Sequence, residues 1–184
     1  MTRAPTFHFT QIDTPMGRFS VAVDSAGAVA ATAFGGVGAL RGRLRGAVLV
    51  RDMRRTAAAR GQIEAWFRGE RRDFSIEVSP AGTAFQRRVW DALRRIPYGE
   101  TRSYGQVARA VGSSARAVGR ANATNPICLI MPCHRVVGSG GSLTGYAFGV
   151  GKKRRLIELE AARRRPGHRP IALCTAATKA LSLA

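Results

Sequence analysis

With 184 residues and 45% apolar content, the chain is long enough for one large domain or two small ones and can fill a core, which excludes a disordered class. Lysine and arginine number 30 against 11 aspartates and glutamates, a net charge of +19 that arginine supplies almost alone. A membrane span is excluded, because no apolar run approaches the ~20 residues it needs. Guanidinium forks suit phosphate and carboxylate, so a polyanion is the expected partner; a solvated arginine-rich surface is the alternative reading. Cysteines at 128, 133 and 174 fit no disulfide framework or zinc ribbon, and "MTRAPTFHFTQIDTP" lacks the apolar core of a signal peptide. A reducing, cytoplasmic setting is expected.

In chain order, "FHFTQI" and "RFSVAV" alternate apolar and polar residues, "DTPMG" joins them through Pro15 and Gly17, and "DSAG" leads into "AVAATAF". This predicts a small antiparallel sheet. Across residues 35–55 the glycines argue against a long helix, and Val48 to Val50 fit a further strand. From Thr56 to Arg68 a helix is predicted, with Ala59, Ile63, Trp66 and Phe67 on one face. Phe74, Ile76 and Val78 then alternate as a last strand. The turn formers "SPAG", Ser79 to Gly82, mark a boundary between a domain of residues 1–80 and one of residues 83–165.

The second domain reads as mainly helical, which makes the whole chain α+β. Thr83 and Gln86 form a capping box ahead of a stripe of Phe85, Val89, Trp90 and Leu93, and "PYGE" stops that helix. Ser103 and Gln106 form a second box opening a helix through Val111; Gly112 suits its end, and Ser113 or Ser114 caps a further helix to about Ala123. Helix, short glycine turn, helix is the helix-turn-helix outline. Its second helix, "SSARAVGRANA", offers few long polar side chains beyond Arg116, Arg120 and Asn122, while Ala117 and Ala121 keep it slim. Such a helix is poorly equipped to read bases in a major groove and better suited to close backbone or minor-groove approach, or to packing against a neighbouring helix. A last helix runs from about Gly151 to Arg165, with Glu160 inside the stripe of Leu156, Ile157 and Ala161. That position predicts either a buried, partnered carboxylate or one at the edge of the stripe. Residues 166–184 show no clear period.

The segment "IMPCHRVVG", Ile130 to Gly138, places Cys133 between Pro132 and His134. No paired C-x-x-C or H-x-x-x-H spacing supports zinc, and a thioredoxin-type redox pair fails for the same reason. A thiol nucleophile served by His134, through a tight turn or a water, and an inert core cysteine both remain open.

"IMPCHRVVG" resembles the PCHR signature of the O6-alkylguanine-DNA alkyltransferases, and the likeness extends to "YGETRSYGQVARAVG", "ARAVGRANATNP", "GYAFG" and the spacing from Cys133 to Glu160. It is strong from about Phe85 to Arg165 and loose over the first domain. The resemblance implies repair of DNA by irreversible transfer of an alkyl group, chiefly methyl, from O6 of guanine, and also from O4 of thymine, to Cys133 in a single turnover. His134 would take the thiol proton through a water, Glu160 would orient the imidazole, and Asn125 would brace the turn before the active site. A cationic surround would lower the thiol pKa. The target nucleotide would be flipped out through the minor groove. Arg116 would fill the vacated stack, Tyr104 would assist rotation and leaving-group departure, and Ala117 would lie against the DNA. Tyr146 with the backbone around Val136 and Ala147 would line the pocket, which Phe148 narrows. The implied partner is double-stranded DNA carrying O6-alkylguanine, bound by a monomer with cooperativity left open, and neither cofactor nor metal is implied.

Overall fold

The computed structural model describes residues 4–163; the segment 166–184 and the expected helix end at Arg165 lie outside them. Four strands, β1 (Thr6–Thr14), β2 (Gly17–Val23), β3 (Val29–Phe34) and β4 (Val48–Arg51), form a sheet in the order β3-β2-β1-β4. β1 and β2 make a hairpin closed by the pair Thr14 and Gly17, where Gly17 takes φ 93°, a conformation strained for any side chain. The expectation of an antiparallel sheet holds for three strands, but β4 lies parallel to β1, from Thr6 opposite Val48 to Phe9 opposite Arg51. The reason is topological: β3 and β4 occupy opposite edges, so the chain between them must cross the sheet. It does so through α1 (Val37–Arg43), a helix kept short where the sequence is glycine-rich.

Alternation along β2 and β3 sorts the side chains by size. Ala22, Ala31 and Ala33 meet Leu40 and Leu44 of the crossover, whereas Phe19, Val21, Val23 and Phe34 face α2 (Ala57–Arg68) and the rest of the core. α2 buries the predicted Ala59, Ile63, Trp66 and Phe67 and ends at Gly69 in the left-handed conformation. The last strand expected at Phe74 to Val78 reduces to one parallel bridge between Val29 and Val78. The free edge of β3 is shared: Val29 bonds to Glu77 and Ser79, while Thr32 NH already donates to Pro126 O at 2.9 Å. Phe74 and Ile76 still pack on the core through their side chains.

Beyond residue 80, α3 (Ala84–Arg94) begins at the predicted capping box, with both reciprocal bonds of Thr83 and Gln86 formed. A side chain at Gly82 would meet the Trp90 ring at 2.5 Å, so only glycine admits this approach. Val89, Trp90 and Leu93 are buried, but Phe85, expected in the same stripe, is half-buried, because it sits in the first turn where α3 leaves the core. α4 (Tyr104–Ala110) and α5 (Ala115–Ala123) start at Ser103 and Ser114, each accepting a backbone hydrogen bond, and Gly112 between them takes φ 64°. A two-residue parallel pair unforeseen in the sequence, β5 (Arg102–Ser103) with β6 (Val136–Val137), ties the start of α4 to the chain after Cys133. α6 (Val150–Ala162) follows, and one continuous core joins Phe19 and Trp66 to Trp90, Leu129 and Leu156. Among the described residues no helix is long and apolar enough to cross a membrane.

Candidate active site

The chain from Asn125 to Arg135 has little regular structure, so its shape depends on side-chain bonds to the backbone. Asn125, 2% exposed, accepts from Ile127 NH at 3.0 Å and donates from Nδ2 to Met131 O at 2.8 Å. Thr32 of β3 grips the same loop, its hydroxyl donating to Cys128 O at 2.6 Å. Leu129 is held at φ 74° within it. Pro132 then leads into a 3-10 turn, Cys133–Arg135, whose three side chains are all buried.

Glu160 lies where two of them meet. It is 1% exposed and receives His134 Nε2 at 2.9 Å, Arg135 Nε and Nη2 at 2.9 Å each, and Gly99 NH at 3.0 Å. Of the two alternatives for this carboxylate, the structure selects the buried and partnered one. Burial alone would raise its pKa, but charge and hydrogen bonds from His134 and Arg135 outweigh that and hold the carboxyl well below the usual range. Burial lowers the His134 pKa although Glu160 opposes it, so the imidazole is neutral near pH 7. With Nε2–H donated to the carboxylate, the lone pair is on Nδ1, which is buried without a hydrogen-bond partner. That nitrogen is equipped to accept a proton.

Cys133, 5% exposed, opens onto a cavity of about 300 Å³. Tyr104, Asn125, Tyr146, Ala147 and Phe148 line it, as do Arg43 and Asn122. The expected cationic surround exists, yet the thiol pKa does not fall. Burial pushes it up, and the Asn125 side chain and the charges of Arg43 and Lys153 offset this only in part. The resting protein therefore holds a thiol at neutral pH, and a base is needed to ionise it. Burial also raises the Tyr104 and Tyr146 phenols, the latter more strongly, so both stay protonated as potential donors.

The remaining expected residues lie apart from the cavity wall. Val136 is fully buried and pairs with Arg102, which leaves it behind the site. Arg116 is exposed in the first turn of α5 and Ala117 is half-buried beside it, on the outer side of the helix pair. Asn122, noted in the sequence only as one of the few long polar side chains of α5, is buried and points inward. Its Nδ2 lies 3.4 Å from Cys133 O and 3.5 Å from the Tyr104 hydroxyl. A larger cleft of about 600 Å³ lies between α3 and α4 among Arg88, Arg95 and Arg109, but it holds neither cysteine nor histidine, so the smaller cavity is the chemical one.

Sequence reasoning missed four residues at the site. Arg43 comes from the glycine-rich stretch whose structure was not legible, and its guanidinium bonds to Asn125 O and lies 4.9 Å from the Phe148 ring centre. Lys153 and Glu160 share one face of α6 with Leu156 and Ile157, so helical spacing would have found the lysine. Arg135 stands next to His134 in the quoted motif but carried no assignment. Asn122 showed no signal separating it from its exposed neighbours.

Residues 84–162 match the family model described as 6-O-methylguanine DNA methyltransferase, DNA binding domain. The methylated-DNA–protein-cysteine methyltransferase of Mycobacterium tuberculosis is 56% identical over 104 residues, covering 55% of this chain and 63% of that protein. The match thus spans less than two thirds of the curated relative's length. The crystal structure of Mycobacterium tuberculosis O6-methylguanine methyltransferase aligns over 88% of this chain and 96% of its own, at 40% identity and a TM-score of 0.75. The structure of the Mycobacterium tuberculosis protein OGT in complex with DNA aligns over 86% and 96%, with the same identity and TM-score. A likeness at that identity over nearly the whole of a solved relative, together with the cysteine, histidine and glutamate brought together here, shows that the chain belongs to the O6-methylguanine-DNA methyltransferase family.

Proposed function

We propose that this protein repairs double-stranded DNA by taking the alkyl group, chiefly methyl, from O6 of guanine, and also from O4 of thymine, onto Sγ of Cys133. The observation that carries this reading is the buried Cys133 thiol at the wall of a cavity, followed by a neutral His134 whose Nδ1 is free because Glu160 holds Nε2. The thiol proton passes through a bridging water to Nδ1. The thiolate attacks the methyl carbon in line, a carbon–sulfur bond forms, and the carbon–O6 bond breaks with its electron pair remaining on oxygen. Tyr104 donates a hydrogen bond to the guanine as its O6 takes the electron pair, and the proton held on His134 returns through water to the base, which is left as normal guanine still joined to the DNA. Atoms and charge balance without a cofactor, and the stable thioether limits each molecule to one turnover.

A base stacked in a duplex does not reach a sulfur at the bottom of a cavity, so the nucleotide is rotated out at a cost of a few kcal/mol. Arg116, exposed at the start of α5, fills the gap. Slim Ala117 allows the helix close to the minor groove, and the arginine surplus binds the backbone. The protein acts as a monomer in the cytoplasm. Mass spectrometry after incubation with an oligonucleotide carrying O6-methylguanine is expected to show one methyl group on Cys133. Cys133→Ala is expected to abolish transfer while retaining DNA binding, whose affinity falls with salt at a log-log slope of about −0.9 per neutralised phosphate. A methyl group on another residue, or transfer surviving in Cys133→Ala, would overturn the reading. Phe148, packed edge-on against Phe34 and Tyr146, narrows the cavity, so O6-benzylguanine in DNA is expected to react more slowly than O6-methylguanine. Equal rates would show that Phe148 sets no limit.

A further inference from the structure

Lys153 is fully buried on α6, yet the reaction above assigns it no step. Its ammonium donates to the carbonyl oxygens of Thr144 at 2.7 Å and Gly145 at 3.4 Å and lies 5.7 Å from the centre of the Tyr104 ring. Among the described residues no carboxylate pairs with it; Glu160, the other buried charge of α6, is taken by His134 and Arg135. An ammonium removed from water without a counter-ion is costly, and here its recorded partners are two loop carbonyls and an aromatic face. Tyr104 and Gly145, both touched by this ammonium, line the cavity that also holds Cys133, so the thiolate, a charge that does not exist in the resting protein, would form in that same cavity. Burial disfavours the charged form of each group, while each favours the charged form of the other.

We infer that Lys153 is a positioning residue with two linked roles: together with Arg43, its ammonium supplies the counter-charge under which Cys133 ionises, and its bonds to Thr144 and Gly145 hold the loop bearing Tyr146 and Phe148 over the cavity. The lysine keeps its proton throughout, and the thiol proton still leaves through His134. Its contacts are the Tyr104 ring of α4 and the loop carbonyls; Cys133 and His134 of the 3-10 turn feel its charge, Arg43 of α1 is the other cation acting on Cys133, and Glu160 lies further along its own helix. Burial brings the Lys153 pKa down to about 8, so the charge is present at neutral pH and fades above that. This inference rests on Cys133 being the reacting thiol, but it can be tested without DNA.

Iodoacetamide alkylation of Cys133 in the full-length protein, read by mass spectrometry between about pH 6 and 10, separates a charge effect from a merely structural one. Lys153→Met, which keeps length and apolar packing, is expected to slow alkylation about tenfold at neutral pH, as removal of one adjacent opposite charge would. The deficit should shrink toward the alkaline end, where the thiol ionises unaided. Lys153→Arg should recover most of the neutral-pH rate. Hydrogen exchange across residues 144–149 should be faster in Lys153→Met. A Lys153→Met profile superimposed on that of the wild type, or a deficit equal at every pH, would overturn the inference; so would unchanged exchange in the loop. If the pH-dependent deficit appears but methylated DNA transfers nothing to Cys133, the repair reading fails and the role of Lys153 stands.

Discussion

The helical stretch from Ala84 to Ala162 and the sheet that precedes it contribute to the same sulfur in different ways. The helical part carries Cys133, His134 and Glu160 among short helices whose starts are set by neighbouring residues: Thr83 with Gln86, Ser103 with Gln106, Ser114 with Ala117. The sheet supplies no nucleophile. It holds the loop before Cys133 through Thr32, ninety-six residues from Cys128, and sends Arg43 of α1 into the cavity wall. Local bonds make the helices, but long-range bonds aim the cysteine. A family model that covers residues 84–162 alone therefore takes in Cys133, His134 and Glu160 and omits part of their support.

Substitutions can sharpen or break that contrast. The largest effect is expected at the buried junction of the helical part. Glu160→Gln leaves Arg135 buried without its counter-charge, and should lower stability by about 3–5 kcal/mol in urea unfolding. It should also slow methyl transfer, because the His134 imidazole loses its anchor. A wild-type urea midpoint in this variant would show that the network carries no stability.

The pH dependence has a defined sign. The depressed Glu160 pKa contributes stability above its unfolded value, near the ordinary carboxylate range, and that stability is lost as pH falls toward the folded value. The His134 pKa is lowered too, so the unfolded chain takes up a proton on this residue first, and stability starts to decline below about pH 6.5. Unfolding midpoints across an acid series check this, and a midpoint that rises on acidification would contradict it.

A smaller effect is expected from the sheet. Thr32→Val removes the hydroxyl that satisfies Cys128 O in the interior, a loss of about 1–3 kcal/mol. If the sheet aims the cysteine, iodoacetamide alkylation of Cys133 changes as well. A stability loss with unchanged Cys133 reactivity would confine the sheet to a passive role. Smallest is Thr83→Ala, which removes one cap and should cost about 1 kcal/mol in unfolding while leaving methyl transfer at the wild-type rate.

Legibility followed the range of the interactions. The strands expected at "RFSVAV" and "AVAATAF" form, although both of their faces are buried, and the stripes of α2 and α6 located their buried sides, because such signals arise from backbone periods of two and 3.6. The segment Phe74 to Val78 has the same alternation and still forms only one bridge, since a strand also needs a free partner edge, and Thr32 had given part of β3 to the loop at Pro126. Glu160 stood out as a carboxylate in an apolar stripe. Lys153 occupied the same face unnoticed, since a long side chain at a stripe ordinarily keeps its charge in water. Asn122 and Arg116 lie on one short helix, and nothing in "ARAVGRANA" tells which of them turns inward.

By itself the sequence determined the starts of α2, α3 and α4, the main buried faces of the longer helices, and that a cysteine, a histidine and a distant glutamate carry the resemblance to alkyl-transfer proteins. Those features depend on residues within a few positions of each other or on the motif itself. Only the tertiary structure decided that Glu160 is shared by His134 and Arg135, that β4 runs parallel to β1, that Arg43 enters the cavity wall while Lys153 is buried against the carbonyls of Thr144 and Gly145, and that burial raises the Cys133 pKa. Charge states and partners follow from burial and from distances between residues far apart in the chain, and neither exists until the sheet and the helices close around Cys133.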